Sequence, residues 1–574
     1  MPIFTIDALS MDGRGIVRHG ENGKTTFVSG ALPGDRAEVT ITREHRGYCE
    51  GRVTTLIEKA PDTIEPACPH AHTCGGCSLQ RLSCEAQLAA KEQFVREALT
   101  RIGKIANPPL RPIVASPDVL GYRNRVQLAF ARNEEGKIHL GMRMPQSHLV
   151  VPARGCRLLA SGAEEIVQKV EELANRADLS VYEPDFSKAP ARNGRNRGRA
   201  AGTKKGFLRF CQIREGRVPD DASLASARHI PEHQAFWLVF LTSPGSRQER
   251  AALARVATEI LLACPTVHAV LHEERASEDM LVRGERRIFA MARPDFPLDP
   301  ALMVMPLCGT GFLVDAADFF QVNTKAADLL AQEAANLVQK GPLFDLYCGV
   351  GAPGLLFGEG EITGIEYSAS SIAMAKRNAA RMGQKASYHA GDAARILQTA
   401  LFKSAKPVQV LCDPPRAGLD SRVVSWLLEK RPEHIIYISC NPATLARDIL
   451  ALQKAYRLEQ TTSVDMFPQT PHVETVVLLS KLNTKQHIEV ELNLDELDLT
   501  SAESKATYEE IKEYVLEQTG LKVSHLYIAQ VKQKYGIIER ENYNKPKSEN
   551  SRQPKCPPEK EAAITEALKH FGMI

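Results

Sequence analysis

Two segments place chemically useful side chains directly after apolar strands. In IIYISCNPATL, Cys440 follows a run of strong β-formers and precedes a helix expected to begin near Ala443. In VLCDPPRAGLD, two prolines form a rigid turn that cannot join a sheet ladder, so Asp413 projects beyond the strand end. Nearby helix amides and a polar loop favour the thiolate form of a cysteine, which is the nucleophile. We therefore predict that Cys440 and Asp413 share one edge of a sheet.

A Gly-rich turn and two acidic residues predict a cofactor at the same edge. The turn is DLYCGVGAPG, where backbone can approach a ligand closely. Glu366 ends the next strand, where doubly wound folds hydrogen-bond a ribose hydroxyl, and Asp392 follows a third short strand, where it can contact an adenine. This pattern fits any cofactor that contains a nucleoside.

A proton acceptor is expected in QTPHVETVVLLS. Glu474 begins a strand and should point to the active edge, where a buried carboxylate can act as a base. His472 competes for this role, but a loop histidine is more often a solvated surface group. Cys348 and Cys412 are interpreted as inert core residues.

Three cysteines form a separate group. Cys68, Cys74 and Cys77 lie within ten positions. The chain has 13 cysteines, an odd number spread over 574 residues, which does not suggest a disulfide framework. In a reducing compartment the group is typical of metal ligands.

The composition suggests a multidomain globular protein. Hydrophobic residues make up 43% and charged residues 25%, and the formal net charge of +3 excludes a histone-like polycation. No apolar run approaches the ~18 residues of a membrane span, and the N-terminus lacks the features of a signal peptide. We therefore expect no membrane association and a cytoplasmic location.

Periodicity divides the chain into four parts. Short β-rich runs in the first predict a small antiparallel barrel, further strands occupy the second, and strands alternating with helices in the third predict a mostly parallel sheet covered on both faces. The fourth is Lys-rich and should contain helices as an appended module, with a helix-turn-helix as the weaker reading. The boundaries are 1–60, 61–306, 307–483 and 484–574, with an amphipathic helix over 85–103 that should pack on the third part. Residues 191–206 are almost only Arg, Lys, Gly, Asn and Ala, which is typical of a mobile loop or a phosphate contact.

Taken together, the motifs resemble the RNA (uracil-5-)-methyltransferase family. DLYCGVG, DPPRAGLD, ISCNP, HVET and FFQVN occur in the order and spacing of that family. Cys68-x5-Cys74-Gly-Gly-Cys77 with the later Cys156 is similar to the iron–sulfur type that acts on 23S ribosomal RNA. The resemblance covers roughly residues 1–480. It implies a multidomain α/β protein with an N-terminal TRAM, OB-like β-barrel, an iron–sulfur-containing α+β central domain, a Rossmann-like class I methyltransferase domain and a small helical C-terminal extension.

The resemblance also assigns roles to single residues. It implies S-adenosylmethionine (SAM) as cofactor and a [4Fe–4S] cluster, Cys440 as nucleophile and Glu474 as general base. Ala352 departs from the Asn or Thr that relatives often carry there. Gln321 and Asp413 would position the uracil, and Phe319 would stack on it. The cofactor residues implied are Gln321, Tyr347, Glu366, Asp392 and Asp413, and the cluster ligands are Cys68, Cys74, Cys77 and Cys156. From spacing alone, a zinc site with four cysteine ligands fits as well as the cluster.

These assignments imply a monomeric enzyme that methylates uridine C5 in 23S ribosomal RNA. The nearest alternative is the transfer-RNA T-loop enzyme, whose simpler members lack the cysteine group and the barrel. A non-catalytic RNA-binding or ribosome-assembly protein on the same fold is a second alternative, against which Cys440, Glu474 and Asp413 speak. DNA amino-methylation is disfavoured because Arg416 follows the prolines where an aromatic residue is usual.

Overall fold

The computed structural model comprises two compact units, Met1–Lys485 and Gln486–Ile574. Among the described residues, no helix is both long and apolar enough to cross a membrane. The basic segment 191–206 lies outside the described residues, apart from Gly206. The structure describes residues 2–18, 23–144, 147, 149–183, 206–277, 283–293, 299–482, 508–521, 523–535 and 556–570.

A six-stranded sheet forms the N-terminal part. Its strands are β1 (Ile3–Thr5), β2 (Ala8–Leu9), β3 (Gly15–Val17), β4 (Thr25–Ser29), β5 (Arg36–Glu44) and β6 (Tyr48–Glu58). The order is β1-β5-β6-β4-β3-β2, and only two residues separate the edge strands β1 and β2 in the chain, so the sheet curls. The prediction of a purely antiparallel barrel was wrong in one pairing, because β4 and β6 run parallel. The β5–β6 hairpin returns the chain in the direction of β4, which turn signals alone do not reveal.

Helix α1 (Cys84–Arg101) links the cysteine-bearing segment to the catalytic part. Ser83 caps it by accepting a hydrogen bond from the Ala86 amide. Val95, Ala98 and Leu99 are buried in the core that the catalytic sheet shares with its neighbouring helices.

The central part is a nine-stranded mixed sheet with helices packed on it. The elements are β7 (Arg125–Arg132), β8 (Ile138–Arg143), β9 (Val150–Pro152), α2 (Ala163–Arg176), β10 (Leu208–Arg217), α3 (Asp221–Ala225), β11 (Gln234–Thr242), α4 (Arg247–Ala263), β12 (Val267–Glu274), β13 (Arg286–Ala292), β14 (Leu302–Leu307) and β15 (Thr310–Asp315). The strand order is β13-β12-β11-β10-β7-β8-β9, with the β14–β15 hairpin attached to β10 through Arg217 and Val304. This hairpin spans the expected boundary at 306/307.

The catalytic part is a seven-stranded sheet covered on both faces, as the alternating pattern predicts. The elements are α5 (Thr324–Ala335), β16 (Leu343–Leu346), α6 (Ala352–Phe357), β17 (Ile362–Glu366), α7 (Ala369–Met382), β18 (Ala386–Ala390), α8 (Ala393–Ile396), α9 (Ala400–Lys403), β19 (Gln409–Cys412), α10 (Ser421–Lys430), β20 (His434–Ser439), α11 (Pro442–Leu452), β21 (Tyr456–Val464) and β22 (Glu474–Lys481). The strand order is β18-β17-β16-β19-β20-β22-β21, in which the first five strands are parallel and β22 is antiparallel to both neighbours.

The second unit contains three described helices with a common apolar core. They are α12 (Tyr508–Thr519), α13 (His525–Lys534) and α14 (Pro558–His570). Ile511, Val515, Ile528 and Ile564 are completely buried among them. The helices therefore pack together as a small bundle of their own.

Candidate active site

The strand register brings the predicted nucleophile and base together. Ser439, at the end of β20, pairs with Thr475 in β22. Continuing this antiparallel ladder by one residue places Cys440 opposite Glu474. Cys412, which immediately precedes Asp413, pairs with Tyr437 in β20 and with Leu346 in β16. Cys440, Glu474, Asp413 and Tyr347 therefore lie at one edge of the sheet.

The loop that follows Asp413 is fixed by the helix that follows Cys440. The Arg416 carbonyl accepts hydrogen bonds from Asn441 at 3.1 Å and from Thr444 at 3.2 Å. Buried Asp448 accepts from the Leu419 amide at 2.7 Å and from the Tyr437 hydroxyl at 2.8 Å. The DPPR turn and the start of α11 thus form one rigid assembly around Cys440.

The Gly-rich turn forms an open cradle beside acidic side chains. Gly349 has φ +54°, and a Cβ added there would meet nothing within 4 Å, so its backbone borders free space. Glu366 accepts from the Gly349 amide at 3.3 Å and from the Ser368 amide at 2.8 Å. Tyr347 has φ 65°, which turns the chain sharply out of β16. Asp392 caps α8 at the end of β18 by accepting from the Arg395 amide at 2.9 Å.

Carboxyl groups accumulate behind this cradle. Asp345 accepts from the Gly354 amide at 2.9 Å through Oδ2, whereas its buried Oδ1 has no partner among the described residues. Burial raises the pKa of Asp345 to about 8, with the nearby charges of Asp413 and Glu366 adding to the effect. Burial, together with Glu366, raises the pKa of Asp413 to about 7. A positively charged ligand would stabilise the ionised forms of these buried carboxyl groups, so the donor set suits a sulfonium cofactor.

Cys440 differs from the expectation of a favoured thiolate. The residue is half-buried, and burial raises the pKa of its thiol to about 11, with Glu474 and Asp413 raising it further and Arg416 opposing them. Burial also raises the pKa of Glu474 well above its usual range, reinforced by Asp413. The sequence expectation considered helix amides and polar neighbours but not these buried carboxylates. A base must therefore take the thiol proton before Cys440 can attack.

His472 is not the solvated surface group expected of a loop histidine. Its Nε2 lies 3.4 Å from Nη2 of Arg416, and burial lowers the pKa of its imidazole to about 4, helped by the charge of Arg416. Sequence reasoning missed the role of Arg416, whose guanidinium acts on Cys440, Glu474 and His472 together. The signal was its position directly after the two prolines.

Phe319 lies on a loop held from two sides. Its side chain is 66% exposed, while the backbone of the loop is bound by Arg214 of the central sheet, which donates to the carbonyl of Asp318 at 2.5 Å. On the cofactor side, Ser370 donates to Asp318 Oδ1 at 2.8 Å. Gln321, two residues after Phe319, is half-buried. Tyr367, which directly follows Glu366, is exposed.

The four predicted metal-ligand cysteines lie in one region. Cys77 and Cys156 share an apolar cluster with Tyr122 and Leu158. Burial raises the pKa of Cys77 to about 11, and the thiols of Cys156 and Cys74 add to this. Cys68 in turn raises the pKa of both Cys74 and Cys156, although burial is the larger cause in each. Among the residues that the structure describes, no group of three or more His, Cys, Asp or Glu side chains is arranged to hold a metal ion.

Comparison with known proteins identifies the family. Residues 314–482 match the model of the tRNA (uracil-5-)-methyltransferase family, and residues 5–54 match that of the TRAM domain. A protein of Nitratidesulfovibrio vulgaris named as an uncharacterized RNA methyltransferase is 34% identical over 83% of this chain and 95% of its own length. A similarly named protein of Halalkalibacterium halodurans is 28% identical over 83% of this chain and 96% of its own.

A solved structure shares the fold. The tRNA (uracil-54, C5)-methyltransferase of Pyrococcus abyssi, solved in complex with S-adenosyl-L-homocysteine, is 24% identical with a TM-score of 0.61. The match covers 83% of this chain and 100% of that one. Similarity at this level establishes the architecture only. With the family matches and the strand-end geometry, it leads to one conclusion: the chain belongs to the RNA (uracil-5-)-methyltransferase family and carries an N-terminal TRAM domain.

Proposed function

We propose that this enzyme uses SAM to methylate uridine C5 in 23S ribosomal RNA through a covalent Cys440–C6 adduct. The observation that carries the reaction is the β20–β22 register, which brings Cys440 and Glu474 together beside Asp413. The ribosomal substrate rests on the resemblance of the cysteine pattern rather than on this geometry.

The chemistry follows from the positions of the side chains. The Cys440 sulfur adds to C6, which makes C5 electron-rich. When bound, SAM supplies the methyl group that C5 takes. Glu474 removes the proton that remains on C5, the C5=C6 double bond re-forms, and the sulfur leaves C6. Asp413 and Gln321 hold the uracil edge, and Phe319 stacks on the extruded base, which offsets part of the few kcal/mol that extrusion costs.

SAM fits the cradle that these residues form. Glu366 would hold the ribose hydroxyls, and Tyr347 and Asp392 follow the ends of β16 and β18 at the same edge of the sheet. The sulfonium charge suits the carboxyl groups of Asp345 and Asp413, because a nearby cation would stabilise their ionised forms, which burial disfavours. Ala352 has no side-chain hydrogen-bond donor or acceptor, so backbone or water takes that place.

The four cysteines supply the donor set of a [4Fe–4S] cluster. The choice of a cluster over a zinc ion with four cysteine ligands rests on the resemblance of the cysteine pattern, because the spacing of Cys68, Cys74, Cys77 and Cys156 fits either group. Protein purified without oxygen should be brown and contain iron and sulfide, whereas stoichiometric zinc in a colourless protein would contradict the proposal.

Transfer RNA is the second candidate substrate. The Pyrococcus abyssi tRNA enzyme aligns over its whole length with 83% of this chain, so the match extends well beyond the 314–482 catalytic segment. The breadth of this match weakens the argument that parts outside the catalytic segment, such as the barrel, distinguish ribosomal from transfer-RNA enzymes.

Two measurements test the proposal. Nucleotide-resolution mapping of 5-methyluridine with and without the gene should show a loss confined to 23S ribosomal RNA, whereas a loss confined to the T-loop assigns transfer RNA. RNA containing 5-fluorouridine should trap the wild-type protein covalently. The Cys440→Ala variant should form no adduct and lose turnover by a factor on the order of 10⁴ or more. Undiminished methylation by this variant would refute the covalent mechanism and leave a non-catalytic role for Cys440.

A further inference from the structure

Residues 465–473, the segment that leads into Glu474, are held by side chains from α1. Asp465 directly follows Val464, which is the ladder partner of Glu474 in β21. Nζ of Lys91 donates to Asp465 Oδ1 at 2.5 Å and to the Phe467 carbonyl at 3.1 Å. Both ends of this ion pair are buried. Removing one partner from such a pair leaves an uncompensated charge, so the contact resists movement of the segment.

A second contact fixes the middle of the same segment. Gln469 has φ +69°, a left-handed conformation that non-glycine residues rarely adopt. Its amide donates to Gln87 Oε1 at 2.9 Å, its side-chain oxygen accepts from Gln87 Nε2 at 3.0 Å, and its carbonyl accepts from the Leu79 amide at 3.0 Å. These bonds offset the cost of the unfavourable backbone conformation.

The third contact connects the segment to the cysteine region. The Tyr122 hydroxyl donates to the Pro468 carbonyl at 2.9 Å, while Tyr122 packs with Cys77 and Leu158. The cysteine region and the segment before Glu474 are therefore joined through one side chain.

We propose that Lys91, Gln87 and Tyr122 are positioning residues for Glu474, and that the cysteine-bearing region thereby controls the elimination step. This inference rests on the proposed function. In that step the Glu474 carboxylate takes the C5 proton, and the C–H electron pair becomes the C5=C6 bond. The C6–S bond breaks, and its electrons leave on Cys440 as the thiolate.

Addition and elimination should respond differently to these contacts. Addition of Cys440 to C6 does not use Glu474 as the C5 base, so a displaced Glu474 slows mainly the removal of the C5 proton. The methylated RNA then remains attached to Cys440. A merely structural role for these contacts would instead weaken all steps together.

The test compares addition with elimination in Tyr122→Phe and Lys91→Met. The substrate is total RNA from a strain lacking the gene, incubated with SAM and quenched in denaturant. Tyr122→Phe should accumulate covalent protein–RNA adduct about two- to tenfold above wild type, the range for loss of one hydrogen bond. Lys91→Met should accumulate more, because it loses a buried ion pair and a second hydrogen bond. Trapping by 5-fluorouridine RNA should stay within about twofold of wild type.

Tyr456→Phe is the matched control. Tyr456 is a buried tyrosine whose hydroxyl donates to the Pro432 carbonyl at 3.0 Å, so the variant loses the same kind of bond elsewhere. It should show no extra adduct. If Lys91→Met does not fold, Tyr122→Phe, which removes a single hydroxyl group, still decides the question.

The possible failures are distinguishable. Absence of any 5-fluorouridine adduct with wild-type protein overturns the proposed function. Two other results, obtained while the wild type is trapped normally, overturn the positioning role alone. One is a wild-type level of adduct in Tyr122→Phe. The other is an equal slowing of addition and elimination in that variant.

Discussion

The surroundings of the Cys440 sulfur disfavour its thiolate form. Burial and the charges of Glu474 and Asp413 raise the thiol pKa to about 11, and Arg416 only partly opposes them. Since the thiolate is the reactive form, little of the protein is reactive before a base acts. Asp413 also belongs to the carboxyl groups that suit a cationic cofactor, so one group that disfavours the free thiolate also favours cofactor binding.

Alkylation of Cys440 by iodoacetamide should therefore rise steeply with pH. A raised thiol pKa lowers the thiolate fraction at neutral pH, and this fraction grows about tenfold per pH unit until the pKa is reached. Peptide mass spectrometry would follow the Cys440 peptide from pH 7 to 9. Arg416→Gln should slow labelling at each pH, because it removes the charge that favours the thiolate.

Arg422→Gln provides the control, since Arg422 is exposed and pairs with Asp420 away from the thiol. It should leave the labelling rate unchanged. A labelling rate that already levels off below pH 8 in the wild type would contradict the raised pKa.

At the scale of single elements, the loop after β15 is the clearest case of one element positioned by two others. Arg214, fully buried in β10, donates to the carbonyls of Ala316 and Asp318 at 3.1 and 2.5 Å. Ser370, in the first turn of α7, binds the Asp318 side chain. Phe319 can thus remain exposed while its backbone is fixed, which would lower the entropy cost of its proposed stacking on a base.

Ser370→Ala should weaken RNA binding while sparing the cofactor. It removes one hydrogen bond to the loop, and we expect RNA affinity to fall about two- to tenfold. The variant also removes the bond between the Ser370 and Ser368 hydroxyls, but S-adenosylhomocysteine affinity should not change, because Glu366 accepts from the Ser368 backbone amide. Filter binding and calorimetry measure the two affinities.

Ser387→Ala is the matched variant, since the Ser387 hydroxyl donates to Thr363 on the sheet and not to the loop. It should bind RNA as the wild type does. Equal loss of RNA affinity in both serine variants would argue against a specific role for Ser370.

The elements also show why prediction from the sequence succeeded only in part. Apolar runs ending in Asp413 and Cys440 locate strand ends, because a parallel sheet collects such ends at one edge. The pairing of β4 with β6 and the contact of Lys91 with Asp465 depend on chain segments that meet only after folding. No local period records such contacts, and the pKa of Cys440 depends on them in the same way.

At the scale of the whole molecule, the part shared with relatives ends near the boundary between the two units. The catalytic family match ends at residue 482, and Leu482 still donates its amide to the Ala455 carbonyl. Lys481 pairs with Tyr456 in the last sheet ladder. A truncation that removes the second unit should therefore keep Lys485, because a cut at Ser480 would remove part of β22.

Charge argues against RNA binding by the second unit. Residues 486–574 carry 16 acidic and 12 basic side chains, and the described helices alone contain seven glutamates and five lysines. A phosphate-binding surface needs an excess of basic groups, and each phosphate contact steepens the dependence of affinity on salt. The Lys-rich impression from the sequence is thus offset, within the described helices, by the more numerous glutamates.

A chain ending at Lys485 should therefore bind RNA with the same salt dependence as the full protein. Because the helices of the second unit have their own apolar core, their removal should also leave the main thermal transition within about 1–2 °C of its original midpoint. Filter binding over a salt series and differential scanning calorimetry measure the two effects. A shallower salt slope in the truncated protein would show that the second unit contacts phosphates. A large fall in the main transition would instead show that the catalytic unit depends on the second unit for stability.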